Sequence, residues 1–212
     1  MSNKTTETLV ITAPNIKTAV FQLKSTAPYV QHKFSEKARI KMRSAMEQGS
    51  QQKKGRTKKD PRDFDEDYLQ AMYETDEGWR GIPAPAFRNA MVSACRVAGF
   101  QMTKAKLSVF VEADGFDVDE AKPLVKIKRG DPEKYESLVR IQQTTNIAVR
   151  AMWREWEADV RISYDADQFT SQDIANLMDR VGRQVGVGEG RPDSKTSAGM
   201  GWGTFEIVGV AA

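Results

Sequence analysis

The run REWEADVRISYD, residues 154–165, decides the fold. Trp156, Ala158, Val160, Ile162 and Tyr164 alternate with Glu157, Asp159, Arg161 and Ser163. One face is apolar and the other charged. This is the period of a strand that lies on a core with its back to water. Thr170 and Asp173 follow at capping-box spacing, and Ile174, Leu177, Met178, Val181 and Val185 recur at helical spacing. A helix is therefore predicted over residues 170–185. Next comes VGVGEGRPDSKTSAGMGWGTFEIV, residues 185–208, with six glycines between Gly186 and Gly203. A final strand is predicted over 204–210.

Working back from this run, the same two periods recur. Ala19, Phe21 and Leu23 alternate with Val20, Gln22 and Lys24 inside an extended stretch, 9–27. SEKARIKMRSAMEQ, 35–48, suits a basic helix with Ser35 as N-cap, and 49–62 reads as a mobile loop. APAFRNAMVSACRVA, 84–98, has Pro85 in its first turn and Gly99 just past its end, the usual asymmetry of a helix. KLSVFV, 106–111, is predicted as a strand. A hairpin is predicted around 124–127 and 138–141. With the insertions left out, the order is strand, helix, strand, strand, helix, strand. That is the ferredoxin-like (RRM-like) βαββαβ unit of α+β proteins, in one domain spanning 1–212. Its core would be 9–34, 81–112 and 150–212. One insertion, 35–80, follows the first strand, and a second, 113–149, sits in the middle hairpin. Connections this long usually carry function or disorder.

The composition excludes several classes. At 212 residues with 40% hydrophobic and 29% charged, the chain has an ordinary core and generous solvated surface. One cysteine, Cys95, and one histidine, His32, leave no disulfide framework and no Cys/His zinc site. No metal and no cofactor are expected. No leader-like apolar stretch and no membrane-length one is seen, so a reduced, cytoplasmic setting is expected.

The glycine-rich loop follows a helix and enters a strand. A dinucleotide-binding glycine motif does the reverse, and the loop lacks the Gly-Lys-Ser/Thr of a P-loop. What remains is a connector, or a loop whose backbone approaches something closely, with N–H groups free for phosphate. Gly188, Gly190, Arg191, Lys195, Gly201 and Trp202 are its candidate contacts.

In this loop and in the order of its predicted elements, the chain resembles the RAMP superfamily, the ferredoxin-fold proteins of CRISPR effector complexes. GIPAPAFRNAMVSACR, 81–96, is similar to that family's Ile-Pro segment leading into a helix. REWEADVRISYD with the helix and VGVGEGRP after it is similar to the run that ends many members. The resemblance covers roughly 17–27, 81–112 and 150–210. In layout it is nearest to backbone subunits, which stack head-to-tail on a guide RNA and carry a thumb after the first strand. The resemblance thus implies single-stranded RNA, further copies of the chain and other effector-complex subunits as partners. Some backbone subunits cut target RNA with an aspartate just after the first strand. YVQHKFSEKAR, 29–39, has none, so target cleavage is not expected.

The insertion itself is split by charge. Residues 36–62 hold ten Lys/Arg and three acids, and residues 63–77 hold seven acids and no Lys/Arg. Either the two halves are solvated runs that neutralise each other, or the basic half tracks a nucleic-acid backbone while the acidic half meets a neighbouring copy. The phosphate candidates are His32, Lys33, Arg39, Lys41, Arg43, Lys53, Lys54, Arg56, Lys58, Lys59 and, at the start of its helix, Arg88. Tyr68, Tyr73 and Trp79 are candidate stacking surfaces, while Trp153 and Trp156 suit sheet packing. His32 lacks a paired group for acid–base chemistry, and Asp114, Asp117, Asp119 and Glu120 lack the spacing of a calcium loop. The expectation is a single-stranded nucleic-acid binder, RNA before DNA, that oligomerises along the strand. The alternatives are a stand-alone homologue acting on single-stranded DNA in defence or recombination, an assembly protein without nucleic acid, and a metal-independent ribonuclease using His32.

Overall fold

The computed structural model describes residues 12–47, 49, 61–141 and 144–211. Over these residues the chain is mixed α and β, with five α-helices, a seven-stranded antiparallel sheet and a three-stranded one.

The large sheet is built on β1 (Ile16–Ser25) and β9 (Glu157–Asp165). They pair antiparallel with Phe21 opposite Val160 and Leu23 opposite Ala158. β10 (Phe205–Ala211) lies on the free side of β1. The far side of β9 is shared by β4 (Val109–Val111) and β6 (Pro123–Arg129), and β6 also carries β3 (Gly81–Pro83) and β5 (Gly115–Phe116). The alternation in residues 154–165 does what its period requires: Trp156, Ala158, Val160, Ile162 and Tyr164 are all buried. They meet α3 (Ala84–Val97) through Phe87 and Met91, and α5 (Ser171–Arg180) through Ile174 and Met178. Each such side chain is worth about 1.5–3 kcal/mol over leaving it in water.

α5 starts at the predicted cap. Thr170 Oγ1 accepts from Asp173 N–H at 3.1 Å, and the Asp173 carboxylate accepts from Thr170 N–H at 2.9 Å. The Thr170 hydroxyl, which donates to the same carboxylate at 2.7 Å, and then the Thr170 N–H favour the ionised carboxyl and hold Asp173 below its ordinary pKa. The last turn of the predicted helix, Val181–Val185, widens to a π turn. Gly186 N–H closes it on Val181 O at 2.8 Å.

The small sheet runs β2 (Tyr29–Gln31), β8 (Thr144–Trp153), β7 (Glu133–Ile141). Tyr29 joins it to the main core, with its ring 5.5 Å from Trp153 and 6.0 Å from Trp156. Trp156 is fully buried and donates its indole N–H to Ala27 O at 3.2 Å, so its polar atom is satisfied.

The two predicted insertions pack on each other. α2 (Phe64–Gln70) is capped by Asp63, which accepts from Asp65 N–H at 2.9 Å. Tyr68 donates its hydroxyl to Pro132 O at 2.6 Å, Arg62 donates to Ile147 O at 2.6 Å, and Lys134 pairs with Asp65 at 2.7 Å. By contrast α1 (Glu36–Glu47) buries no residue at all.

Two sequence expectations are corrected here. Residues 106–108 are not strand but the end of α4 (Met102–Ser108), with β4 starting only at Val109. Burial of Ala105 holds that last turn helical. Residues 124–127 and 138–141 do not pair as a hairpin. Leu124 and Val125 are wholly buried in the large sheet, while Leu138 is 76% exposed on the small one. The hairpin that forms is β7–β8, with Leu138 opposite Ile147.

Candidate functional site

The glycine-rich loop is a built structure. Val187 N–H bonds Gly203 O at 3.0 Å, Glu189 N–H bonds Val30 O at 2.9 Å, and Trp202 N–H bonds Gly190 O at 2.9 Å. Gly190 N–H goes to Ser197 Oγ at 3.1 Å. These donors are spent inside the chain, not left for phosphate. The glycines answer to packing as well. A Cβ on Gly190 would lie 2.5 Å from the Trp202 ring, and one on Gly203 only 1.7 Å from Val187 O. Both have φ near the left-handed region, 78° and 69°. Gly188 fits against Tyr29 in the same way, whereas Gly201 has open space around it.

So folded, the loop walls a cleft of about 860 Å³. The opposite wall is α3, and β2 and β8 supply the floor. Ala86, Asn89, Ala90 and Ser93 line it, at the spacing of one helix face. Arg150 and Glu189 form its main ion pair, at 2.5 Å, and Arg150 also donates to Val149 O at 2.9 Å. Arg191 donates to Gly188 O at 3.0 Å and so braces the loop while facing the cleft. A smaller pocket of about 170 Å³ adjoins, lined by Phe34, Ser35, Arg62 and Asp67. His32 and Arg150 line both spaces, so together these form one groove from the glycine loop to the root of α1.

His32 exposes its ring to water yet is hemmed in by the groove. Partial burial, reinforced by Arg150, pushes its pKa below 6.5, and Glu189 opposes that only weakly. At pH 7 the ring is neutral.

His32 and Lys33 follow directly after β2, and the first is exposed while the second is buried. The Lys33 side chain turns inward, where the residue is 6% exposed, and its Nζ donates to Asp117 at 2.8 Å and to Asp119 at 2.6 Å. Burial disfavours its charge, but the bonds to Asp117 and Asp119 outweigh this and raise its pKa above 10.5. Asp117 likewise suffers burial, yet the bonds from Lys33 and from the Glu120 and Glu74 N–H groups lower its pKa. Lys33 is thus a structural ion and not a phosphate ligand. Asp117 and Asp119 are its counter-charges.

Arg88 is corrected too. It sits off the cleft face of α3, donates to Val109 O at 3.0 Å and to Lys106 O, and lies 5.1 Å over the Phe110 ring. It ties α3 to the end of α4 and does not hold a phosphate at the start of its helix. Arg39 faces Glu120 at 3.8 Å, and Arg43 pairs with Glu47 at 3.0 Å. Lys41 on α1 and Lys195 on the loop are exposed and have no ionic partner among the described residues. Lys53, Lys54, Arg56, Lys58 and Lys59 lie outside the described residues.

The aromatic candidates divide. Tyr73 is buried with its hydroxyl on Lys122, while Tyr68, bonded to Pro132 O, and Trp79, packed over Gly81 and Gly115, are half-buried and line neither space of the groove. Trp202 is half-buried and stands edge-on to Tyr135 at 5.4 Å. Arg150, Asn89, Ser93 and Phe34 escaped the sequence analysis. Arg150 had a signal, as the lone charged residue in the apolar run from Ile147 to Trp153. Asn89 and Ser93 stood four apart on a helix whose apolar stripe had drawn the attention.

The outward face of the large sheet carries balanced charge. Lys128 pairs with Asp159, Arg129 with Glu157 at 3.1 Å, and Arg161 with Glu112 at 3.7 Å. Among the described residues no group of three or more His, Cys, Asp or Glu is placed to hold a metal ion, and no helix is long and apolar enough to cross a membrane. Compared with models of known protein families and with curated proteins, the chain matches none.

Proposed function

We propose that this chain binds single-stranded nucleic acid, RNA before DNA, in the groove that runs from the glycine loop past His32 and Arg150 to α1, and that copies line up along the strand. The observation that carries the proposal is the continuity of that groove, through two shared residues, into the basic helix. Its walls carry Arg150, Arg191 and Arg62 beside Glu189, Asp193 and Asp67, and the exposed Lys195 and Lys41 lie on the loop and the helix that border it. A polar lining in which arginines alternate with carboxylates suits a strand held by its backbone, phosphates exchanging for those carboxylates, with little sequence preference. The strand order β10-β1-β9 with β4 and β6 beyond, together with α3 and α5, supports a ferredoxin-like unit carrying two insertions, in line with the RAMP-like motifs. The sheet's outward face, its charges paired, is left out of the interface.

The test is fluorescence anisotropy of the full chain with a labelled strand of about 30 nucleotides, across a salt series, as single-stranded RNA, single-stranded DNA and duplex. Expected is binding to the single strands, with each contacted phosphate adding about −0.7 to the slope of log K against log salt. Flat, weak binding to all three at low salt overturns the proposal. The exposed Ile40, Met42 and Met46 of α1 would then favour a protein–protein role for that helix.

A further inference from the structure

Phe34 is 57% exposed, although it directly precedes the cap of α1 and stands next to a well-packed strand. Its ring centroid is 5.1 Å from that of His32, with the planes tilted by 51°. Both rings line the smaller pocket, and His32 also lines the cleft. Other exposed phenylalanines differ in setting. Phe110 lies under the Arg88 guanidinium, and Phe116 sits on β5 away from both pockets.

We propose that Phe34 and His32 form a stacking platform for one nucleobase of a bound single strand. The inference rests on the function proposed above and adds a site to it. Charge complementarity supports it. Lys37 and Lys41 follow on the first two turns of α1, four residues apart on one helix face and without an ionic partner among the described residues, while Arg62 and Arg150, paired with Asp67 and Glu189, line the pocket beside the platform. A base on the Phe34 ring places its phosphates within reach of those cations. Every base has a π face, so the platform is tolerant of sequence, and a duplex, whose bases are already stacked, gains nothing from it. Because the His32 ring is neutral at pH 7, it contributes a polarizable face and a single N–H donor, not a charge.

The test uses the full chain, a single-stranded RNA with one 2-aminopurine, and the variants Phe34→Ala, Phe34→Leu and Phe34→Trp. Stacking on an aromatic ring quenches 2-aminopurine. Expected is quenching on binding by the native chain. Phe34→Ala should weaken binding by about 5- to 150-fold and abolish the quench, with the salt slope unchanged. Phe34→Leu should also lose the quench although it keeps apolar bulk, and Phe34→Trp should retain it. Phe34 is not packed, so melting temperatures should be the same throughout. Native-like affinity and quenching in Phe34→Ala and Phe34→Leu overturn the platform while leaving strand binding intact. No strand binding by the native chain overturns both.

Discussion

The glycine loop and helix α1 make opposite use of their sequences. The loop has the composition of a slack connector, yet its backbone N–H groups find acceptors inside the chain and its glycines fit against Trp202, Tyr29 and a carbonyl oxygen. α1 has the capping and spacing of an ordinary helix, yet none of its residues is buried. Regularity of the backbone and attachment to the core are therefore separate properties. Local sequence decides the first, and partners far along the chain decide the second.

The comparison is broken most severely at Gly203. Ala there meets Val187 O and a left-handed φ, so Gly203→Ala should cost more than about 3 kcal/mol, read by denaturant unfolding. Gly199, with open space and no positive φ, should tolerate the same change within about 0.5 kcal/mol. If both variants melt alike, the loop is the slack connector its composition suggests.

Of similar size is the buried ion pair that anchors the root of α1. Lys33→Ala leaves Asp117, 2% exposed, without its cation and should cost about 3–5 kcal/mol, whereas Lys33→Met with Asp117→Asn, which keeps an acceptor for the Glu74 and Glu120 N–H groups, should recover most of it. The pH dependence has a fixed sign. The raised Lys33 pKa gives stability that is full below 10.5 and lost as pH rises through the folded value. The lowered Asp117 pKa gives stability present above 3.8 and lost as pH falls through its folded value. Both losses should vanish in the double variant.

A smaller effect is expected at the groove. Glu189→Gln frees Arg150 from its partner, so single-strand affinity should rise, with a salt slope steeper by about 0.7. His32 pulls in the other sense on acidification. Its lowered pKa means that the unfolded chain binds the proton first, so stability falls as pH drops below 6.5, and His32→Asn should blunt that fall in a pH series of melts.

The smallest expected effect is on α1 itself. Ile40→Ser and Met46→Ser should change stability by less than about 0.5 kcal/mol, because neither side chain is buried. A large loss would mean that the helix packs against something after all.

Sequence alone determined the local periods: the strand 157–165 with its buried alternation, the capped helix after it, α3 with its apolar stripe, and the helical start at Ser35. These follow from neighbours within one or two turns, where side-chain spacing and capping bonds act directly. The tertiary structure decided which strands pair, that β7 pairs with β8 rather than β6, and that the two insertions pack together. It also turned Lys33 inward and Arg88 onto α4, leaving Arg150 on the groove in their place. A cation's charge is written in the sequence, but whether it meets a carboxylate eighty residues away or stays open to a ligand depends on long-range packing. That dependence is why the glycine-rich loop stood out in the sequence while most of the residues that line the groove beside it did not.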